Sequence, residues 1–311
     1  MRHPIKNAIH SLFHNPRHIL FALLHRMPWL IPNDEKYLST LYWLNFGVKP
    51  DLKNPTKFSE KIQWLKLHDH NPLYTKLVDK YAVKELVRER LGEKYVIPLI
   101  AEWDSPLDIN WDALPERFVI KTNHDGGGHG IVICKEKSKL SIAKAMHELK
   151  HSFYRSSYMF GREWPYKNVQ KRVFAETFVN DSNGELRDYK FFCFNGKVKC
   201  FKIDYNRQVY HQANYFDPLC HLQMYGETAY PFNPDADIRI PENINEMIVL
   251  AEKLAKGIPF VRIDFYNVDG RIYFGEFTFY PAGGMSHWDG DIDVDALWGS
   301  WLNLQEKNNR G

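Results

Sequence analysis

Apolar residues along this chain recur at two spacings. Phe58, Ile62 and Leu65 fall on one helical stripe within 56–67, and residues 75–90 continue as a second helix that stops near Gly92. A short extended run, 95–100, follows. Ser141 is placed to cap a helix in which Ile142, Ala145, Met146, Leu149 and Phe153 repeat at helical intervals, and a third helical pattern, 243–255, ends before Gly257 and Pro259. Between these lie strand-like runs at 118–121, 131–134, 173–179, 189–194, 198–204, 260–266 and 272–280. A turn is expected at Asp181–Gly184, and Asn195-Gly196 between two strands is a hairpin signal. Helices mixed with hairpins give an α+β fold whose sheets are mainly antiparallel.

The first 33 residues carry Arg2, Lys6, Arg17 and Arg26 and no acidic residue. Ile5, Ile9, Leu12 and Phe13 share a helical face, and a broader apolar stretch runs to Leu30. Such a basic, apolar segment suits either the surface of an anionic membrane or packing against the protein's own core.

Composition narrows the function classes. Of 311 residues 44% are hydrophobic and 25% charged, ordinary for a globular chain, and a net charge of +3 is too weak to imply nucleic-acid binding. Nine Trp and seventeen Tyr point to ring-lined surfaces. The four cysteines show no metal-ligand spacing and are expected to be reduced thiols in a cytoplasmic protein. No apolar run is long enough to span a bilayer, and ILFALL at 19–24 lacks a signal-peptide cleavage pattern. HExxH and GxSxG are both absent, which leaves zinc-hydrolase and serine-hydrolase readings without a motif.

The loop Asp125-Gly126-Gly127-Gly128-His129-Gly130 joins the runs Phe118–Lys121 and Ile131–Cys134. Walker and dinucleotide loops lead into a helix whose N-terminus holds phosphate, but here the glycines lead into a strand. What fits is a strand–loop–strand flap whose backbone N–H groups, from Gly126 to Gly130, fold over phosphate oxygens, with Lys121 adding a cation. The competing reading is an ordinary long hairpin loop.

A second constellation is VRIDFYNVDGRIYFGEFTF, 261–279. Arg262 and Asp264 share one face of their strand, as do Glu276 and Thr278 of theirs. A two-residue Asp269-Gly270 turn would send Asp264 and Glu276 to opposite faces. A three-residue turn, Val268 to Gly270, would bring all four together. Two neighbouring carboxylates suit Mg²⁺ beside phosphates. The alternative is an Arg262–Glu276 surface ion pair with Asp264 solvated. Asp188 and Lys190 open a further strand, with Lys202 on its hairpin partner. Asp289, Asp291, Asp293 and Asp295 alternate, either as a metal site for a nucleotide-sugar glycosyltransferase or, the favoured reading, as a polar loop ending in a helix cap.

Several long motifs in order carry a family resemblance over about residues 50–305: NPTKFSEKIQWLKLHDHNPLYTKLVDKYAVKELV, GEKYVIPLI, FVIKTNHDGGGHGIVI, GREWPYKNV, FAETFV, RDYKFFCFNGKV and RIDFYNVDGRIYFGEFTFYPAGG. Together they resemble the TupA-like branch of the ATP-grasp proteins, associated with teichuronopeptide and other surface polysaccharides. The resemblance implies an ATP-grasp fold, with the nucleotide between two sheets. Its parts would be an N-terminal segment (1–33), an N-terminal α/β region (34–115), a small lid lobe (116–179) and a large catalytic lobe (180–311). It implies ATP and Mg²⁺ as cofactors. Lys121 and Gly126–Gly130 would hold phosphates, Glu176, Thr177, Phe178 and Val179 would meet adenine, and Lys190 would add a second phosphate contact. Arg262 would face the transferring phosphoryl group, and Asp264 and Glu276 would bind the metal. Asp181, Glu185 and Asp188 compete for the ribose. Thr278 departs from the family's usual Asn, which weakens one expected ligand. The reaction implied is ATP-dependent joining of a carboxylate, such as a uronic acid, to an amine through an acyl phosphate; the alternatives are the glycosyltransferase and a non-catalytic nucleotide-binding protein. The protein is expected in the cytoplasm, at the inner face of the membrane if residues 1–33 make that contact.

Overall fold

The computed structural model describes residues 16–180, 186–206 and 210–304. Asp181, Glu185, the Asp181–Gly184 turn and the stripe Ile5, Ile9, Leu12 and Phe13 lie outside the described residues. In chain order the helices are α1 (Pro16–Arg26), α2 (Asp34–Phe46), α3 (Phe58–His68), α4 (Leu73–Val78), α5 (Val83–Leu91), α6 (Ile142–Tyr154), α7 (Ser157–Gly161), α8 (Ile244–Ala255) and α9 (Val294–Trp301).

Strands β1 (Leu99–Trp103), β2 (Phe118–Thr122), β3 (Ile131–Cys134) and β4 (Val173–Thr177) form an antiparallel sheet in the order β1-β4-β2-β3. One face packs Phe118, Ile120, Val132, Val173 and Ala175 against Ala145 and Leu149 of α6, whose first turn Ser141 caps. Alternation therefore puts Val119 and Lys121 on the other face.

The larger antiparallel sheet uses β5 (Asp188–Phe194), β6 (Lys197–Tyr205), β7 (Gln212–Phe216), β8 (Leu222–Gln223), β10 (Phe260–Val268) and β11 (Arg271–Thr278), in the order β11-β10-β5-β6-β7-β8. Strands β9 (Tyr225–Glu227) and β12 (Trp288–Gly290) pair separately. Val261, Ile263, Phe265, Phe191 and Ile203 bury one face against Met247, Leu250 and Leu254 of α8. The opposite face carries a polar row, Glu276–Asp264–Lys190–Lys202–Tyr215, in which each residue sits opposite the next on the adjoining strand.

Two expectations change. The single helix at 75–90 is broken into α4 and α5. Asp79 accepts from Tyr81 N and Ala82 N at 2.9 and 3.0 Å, starting a new helix and leaving Lys80 in the gap. The extended run at 95–100 begins only at Leu99, after a 3-10 turn over Glu93–Tyr95.

The inner side of α1 joins the core: Leu24 is buried with Tyr37, Leu38, Leu41 and Leu44. The buried Arg162 guanidinium donates to the carbonyls of Pro28 and Ile31 and pairs with Asp34 at 3.0 Å. Leu20, Leu23, Trp29 and Leu30 face outward, 44–61% exposed. Among the described residues no helix is long and apolar enough to cross a membrane.

Candidate active site

Asp264 and Glu276 stand directly opposite each other, and Arg262 opposite Thr278, so all four project from one face. The turn that achieves this is not the three-residue one expected from sequence. Val268 pairs with Arg271 across Asp269 and Gly270, whose φ angles of 50° and 85° make a two-residue hairpin turn. By itself that register would set Asp264 against Gly275. A bulge shifts it: Phe265 pairs with Phe274 but Asp264 with Glu276, leaving Gly275 as the extra residue. A Cβ on Gly275 would lie 3.0 Å from the Asp264 carbonyl oxygen, so glycine is what lets the strands close here.

Two adjacent carboxylates need compensating charge, and three cations supply it. Arg262 donates to both Asp264 oxygens at 2.7 Å and to Glu276 Oε1 at 3.2 Å. Lys80 meets Glu276 Oε2 at 3.1 Å, and Thr278 Oγ1 donates to Glu276 Oε1 at 3.3 Å. Burial would raise the Glu276 pKa, but Lys80 and Arg262 overcome it and hold it at about 2. The alternative of a surface Arg262–Glu276 pair with a solvated Asp264 does not hold: the two residues do pair, but Asp264 is buried with them in one network.

Lys190 is placed differently from expectation. Its ammonium is buried and sits 3.0 Å from both Asp264 and Asp188 and 3.5 Å from Asp204. Burial works against its charge, yet Asp264 and Asp188 keep its pKa raised. It lies beneath the carboxylates as an organiser, and a phosphate would have to compete with them for it. Asp188, one of the ribose candidates, has its carboxylate turned to this lysine.

Facing the polar row across the cleft, the small sheet presents Lys121 and Glu176. Glu176 is buried, paired with Lys121 and with Lys84 Nζ at 2.8 Å. Burial pushes its pKa up, and Lys121 and Lys84 more than reverse this. Its side chain is therefore held by lysines rather than open to a base. Thr177, Phe178 and Val179 lead out of β4 partly exposed, with Thr177 N bonded to Pro98 O and Arg117 stacked 4.6 Å above the Phe178 ring. Lys80, Lys84, Ile97, Lys121, Phe174, Glu176, Phe274 and Gly275 line the cleft. The space left there is about 10 Å³, roughly one water, so a nucleotide enters only as the lysines swing out or the sheets part.

The glycine flap is more occupied internally than expected. Gly126 N donates to Asp125 Oδ1, His129 N to Gly126 O and Gly130 N to Glu148 Oε1. Among the described residues the N–H groups of Gly127 and Gly128 have no such partner, and both residues have positive φ. Gly130 is required sterically, since a Cβ there would lie 2.2 Å from Ser152 Oγ. Ser152 and Ser157 anchor the flap through Asp125.

Lys80 and Lys84 were not among the residues singled out from sequence. Lys80 bridges the lobes, donating to Asp125 O of the flap at 2.8 Å while pairing with Glu276. The signal was Asp79, a helix-starting residue inside an assumed continuous helix. In the aspartate-rich loop, Asp293 caps α9 through Ala296 N, and Asp295 accepts from Ser59 N and Oγ. Among the described residues no three His, Cys, Asp or Glu side chains gather into a metal cage.

Comparison with known proteins adds to this geometry. The family model described as TupA-like ATP-grasp matches residues 60–302. No curated protein matches. Among solved structures, D-alanine–D-alanine ligase from Bacillus anthracis complexed with ATP is similar at 15% identity and a TM-score of 0.44, over 76% of this chain and 68% of that one. The ATP-grasp ligase PsnB, with a variant of its minimal precursor, Mg and ADP, is similar at 11% identity and a TM-score of 0.41, over 94% and 71%. D-cycloserine synthetase DcsG is similar at 13% and 0.38, over 67% and 63%. The family match spans well over half of the chain, and the chain belongs to the TupA-like ATP-grasp family.

Proposed function

We propose that the protein phosphorylates a carboxylate with ATP and joins the resulting acyl phosphate to an amine, forming an amide and releasing phosphate. The observation that carries this reading is the bulge-set pair Asp264 and Glu276, neutralised by Arg262, Lys80 and Lys190 and facing a lysine-lined cleft. Mg²⁺ commonly takes one or two protein carboxylates and completes its shell with phosphate and water, and this pair fits that demand. Asp264 and Glu276 would hold the ion, with Thr278 as a weaker neighbour. When bound, it supplies charge neutralisation on the nucleotide phosphates.

The chain's own groups do the positioning. Lys121, Lys84 and Lys80 turn from Glu176 and Glu276 to phosphate oxygens, and Gly127 and Gly128 offer backbone N–H groups from above. Thr177 to Val179 line the adenine end. Arg262 steadies the transferring phosphoryl group, while Lys190 fixes Asp264. We read the carboxylate substrate as a uronic acid of a surface polysaccharide or its precursor. The test is ADP release with ATP, Mg²⁺ and pools of uronic acids and amines. Release that requires both substrates is expected, and release that ignores the carboxylate contradicts the reading.

The outward residues Leu20, Leu23, Trp29 and Leu30, flanked by exposed Arg17 and Arg26, fit contact with an anionic membrane surface. Sedimentation with phosphatidylglycerol vesicles is expected to exceed that with phosphatidylcholine. It should fall when Leu23 and Trp29 are both replaced by Ser.

A further inference from the structure

Helix α7 (Ser157–Gly161) is five residues long, too short to hold itself, so contacts at its two ends decide where it lies. At its start the Ser157 hydroxyl has one proton to share between the His124 carbonyl at 2.9 Å and Asp125 Oδ1 at 3.2 Å. These are the two residues from which the glycine flap departs. The same Asp125 is fixed by Ser152 Oγ at 2.9 Å, and its carbonyl accepts from Lys80, the lysine paired with Glu276. The first residue of α7 therefore bears on the base of the flap and, through it, on the carboxylate pair.

The other end is built into the N-terminal segment. Arg162 closes α7 in the left-handed conformation, at φ 50°, with its N–H donating to Tyr158 O at 2.7 Å. A residue with a side chain is strained there, and the guanidinium supplies the compensation. It is buried, lies 4.5 Å over the Tyr37 ring, and bonds to Pro28 O, Ile31 O and the Asp34 carboxylate. Tyr158 donates to Asp34 Oδ2 at 2.6 Å, Tyr37 donates to Phe160 O at 3.0 Å, and the Phe160 ring packs 5.6 Å from His25 of α1. One short helix thus joins the base of the flap to the segment that carries the outward Leu20, Leu23, Trp29 and Leu30.

We propose that α7 is the strut that positions the glycine flap over the nucleotide phosphates, with Ser157 and Tyr37 as positioning residues at its two ends. The N-terminal segment is then part of the nucleotide site rather than an appendage to it. The inference rests on the reading of the flap as a phosphate clamp. A flap held in place binds more tightly than one that samples other positions, by the fraction of time it is competent. Loosening the strut therefore weakens ligands that reach the flap and spares those that do not.

Calorimetric titration of the full chain with ADP and Mg²⁺, and separately with adenosine, tests this without turnover. Ser157→Ala and Tyr37→Phe each remove one hydroxyl and keep the rest of the side chain. Each is expected to weaken ADP about threefold to tenfold, the reach of one hydrogen bond, and to leave adenosine affinity unchanged. Because both act through α7, the double variant should be no weaker than the weaker single one, whereas independent sites would add. Ser157→Thr should retain most of the ADP affinity. Wild-type ADP affinity in Ser157→Ala or in Tyr37→Phe, equal losses for ADP and adenosine, or additive losses in the double variant would each overturn the proposal. Wild-type protein that binds adenosine as tightly as ADP would overturn the phosphate reading, and the strut with it. If a variant does not fold, hydrogen exchange of the wild type decides. ADP should then slow the amides of 157–162 together with those of 126–130, and protection confined to the flap would overturn the proposal.

Discussion

Glu276→Gln is expected to lower Mg²⁺-dependent ATP turnover by about two to three orders of magnitude, on the scale of losing one preorganised electrostatic group at a reacting phosphoryl. The fold should survive, because Glu276 is partly exposed and Gln keeps its volume. Its contribution to stability has a defined pH window. Because Lys80 and Arg262 hold the folded pKa at about 2 against a usual 4.5, the pairing stabilises the protein above about pH 4.5. That contribution is lost as the pH falls toward 2, so the acid transition of the variant should be shallower there. Asp264→Asn should lose turnover equally but at a structural cost. Asp264 is buried between Arg262 and Lys190, and breaking such a network costs about 3–5 kcal/mol, moderated here because Lys190 keeps Asp188 and Asp204. Turnover and thermal melting of both variants check the contrast. Wild-type turnover in Glu276→Gln would remove the carboxylate pair from the mechanism.

The second large effect is expected at a residue with no chemistry of its own. Gly275→Val places a branched side chain where a Cβ already meets the Asp264 carbonyl at 3.0 Å. The strands must then separate at the bulge or slide to the plain two-residue register, and a one-residue slide carries Glu276 to the opposite face. Turnover should fall at least 100-fold, with a stability loss of about 1–3 kcal/mol for the forced repacking. Activity near that of the wild type would show that the bulge does not set the site.

The bulge also marks where the sequence stops being explicit. Alternation identified Arg262, Asp264, Glu276 and Thr278 as two facing pairs, but their common face depends on one odd residue placed somewhere in the hairpin. The sequence expectation put it in the turn. It resides at Gly275, and a glycine inside a strand pattern is itself a bulge signal. Lys80 was hidden for a related reason. The apolar period of 75–90 continues across it, and only the capping chemistry of Asp79 breaks the helix. The flap was legible as a glycine loop between strands. Which of its N–H groups stay open depends on Asp125 and on Glu148 of α6, partners that periodicity does not reveal. Lys121 and Lys190 were both legible as strand lysines, but apart from Asp188, two residues before Lys190 on the same strand, their carboxylate partners Glu176, Asp264 and Asp204 come from neighbouring strands.

The central claim, that Asp264 and Glu276 form a metal and phosphate site between the two sheets, is tested most directly by a crystal structure with ADP and Mg²⁺. It should show nucleotide in the cleft lined by Lys84, Lys121 and Phe174, and Mg²⁺ at about 2.0–2.1 Å from oxygens of Asp264 and Glu276. Lys80 should have turned from Glu276 to phosphate. Nucleotide bound elsewhere, or Mg²⁺ held without either carboxylate, would contradict it.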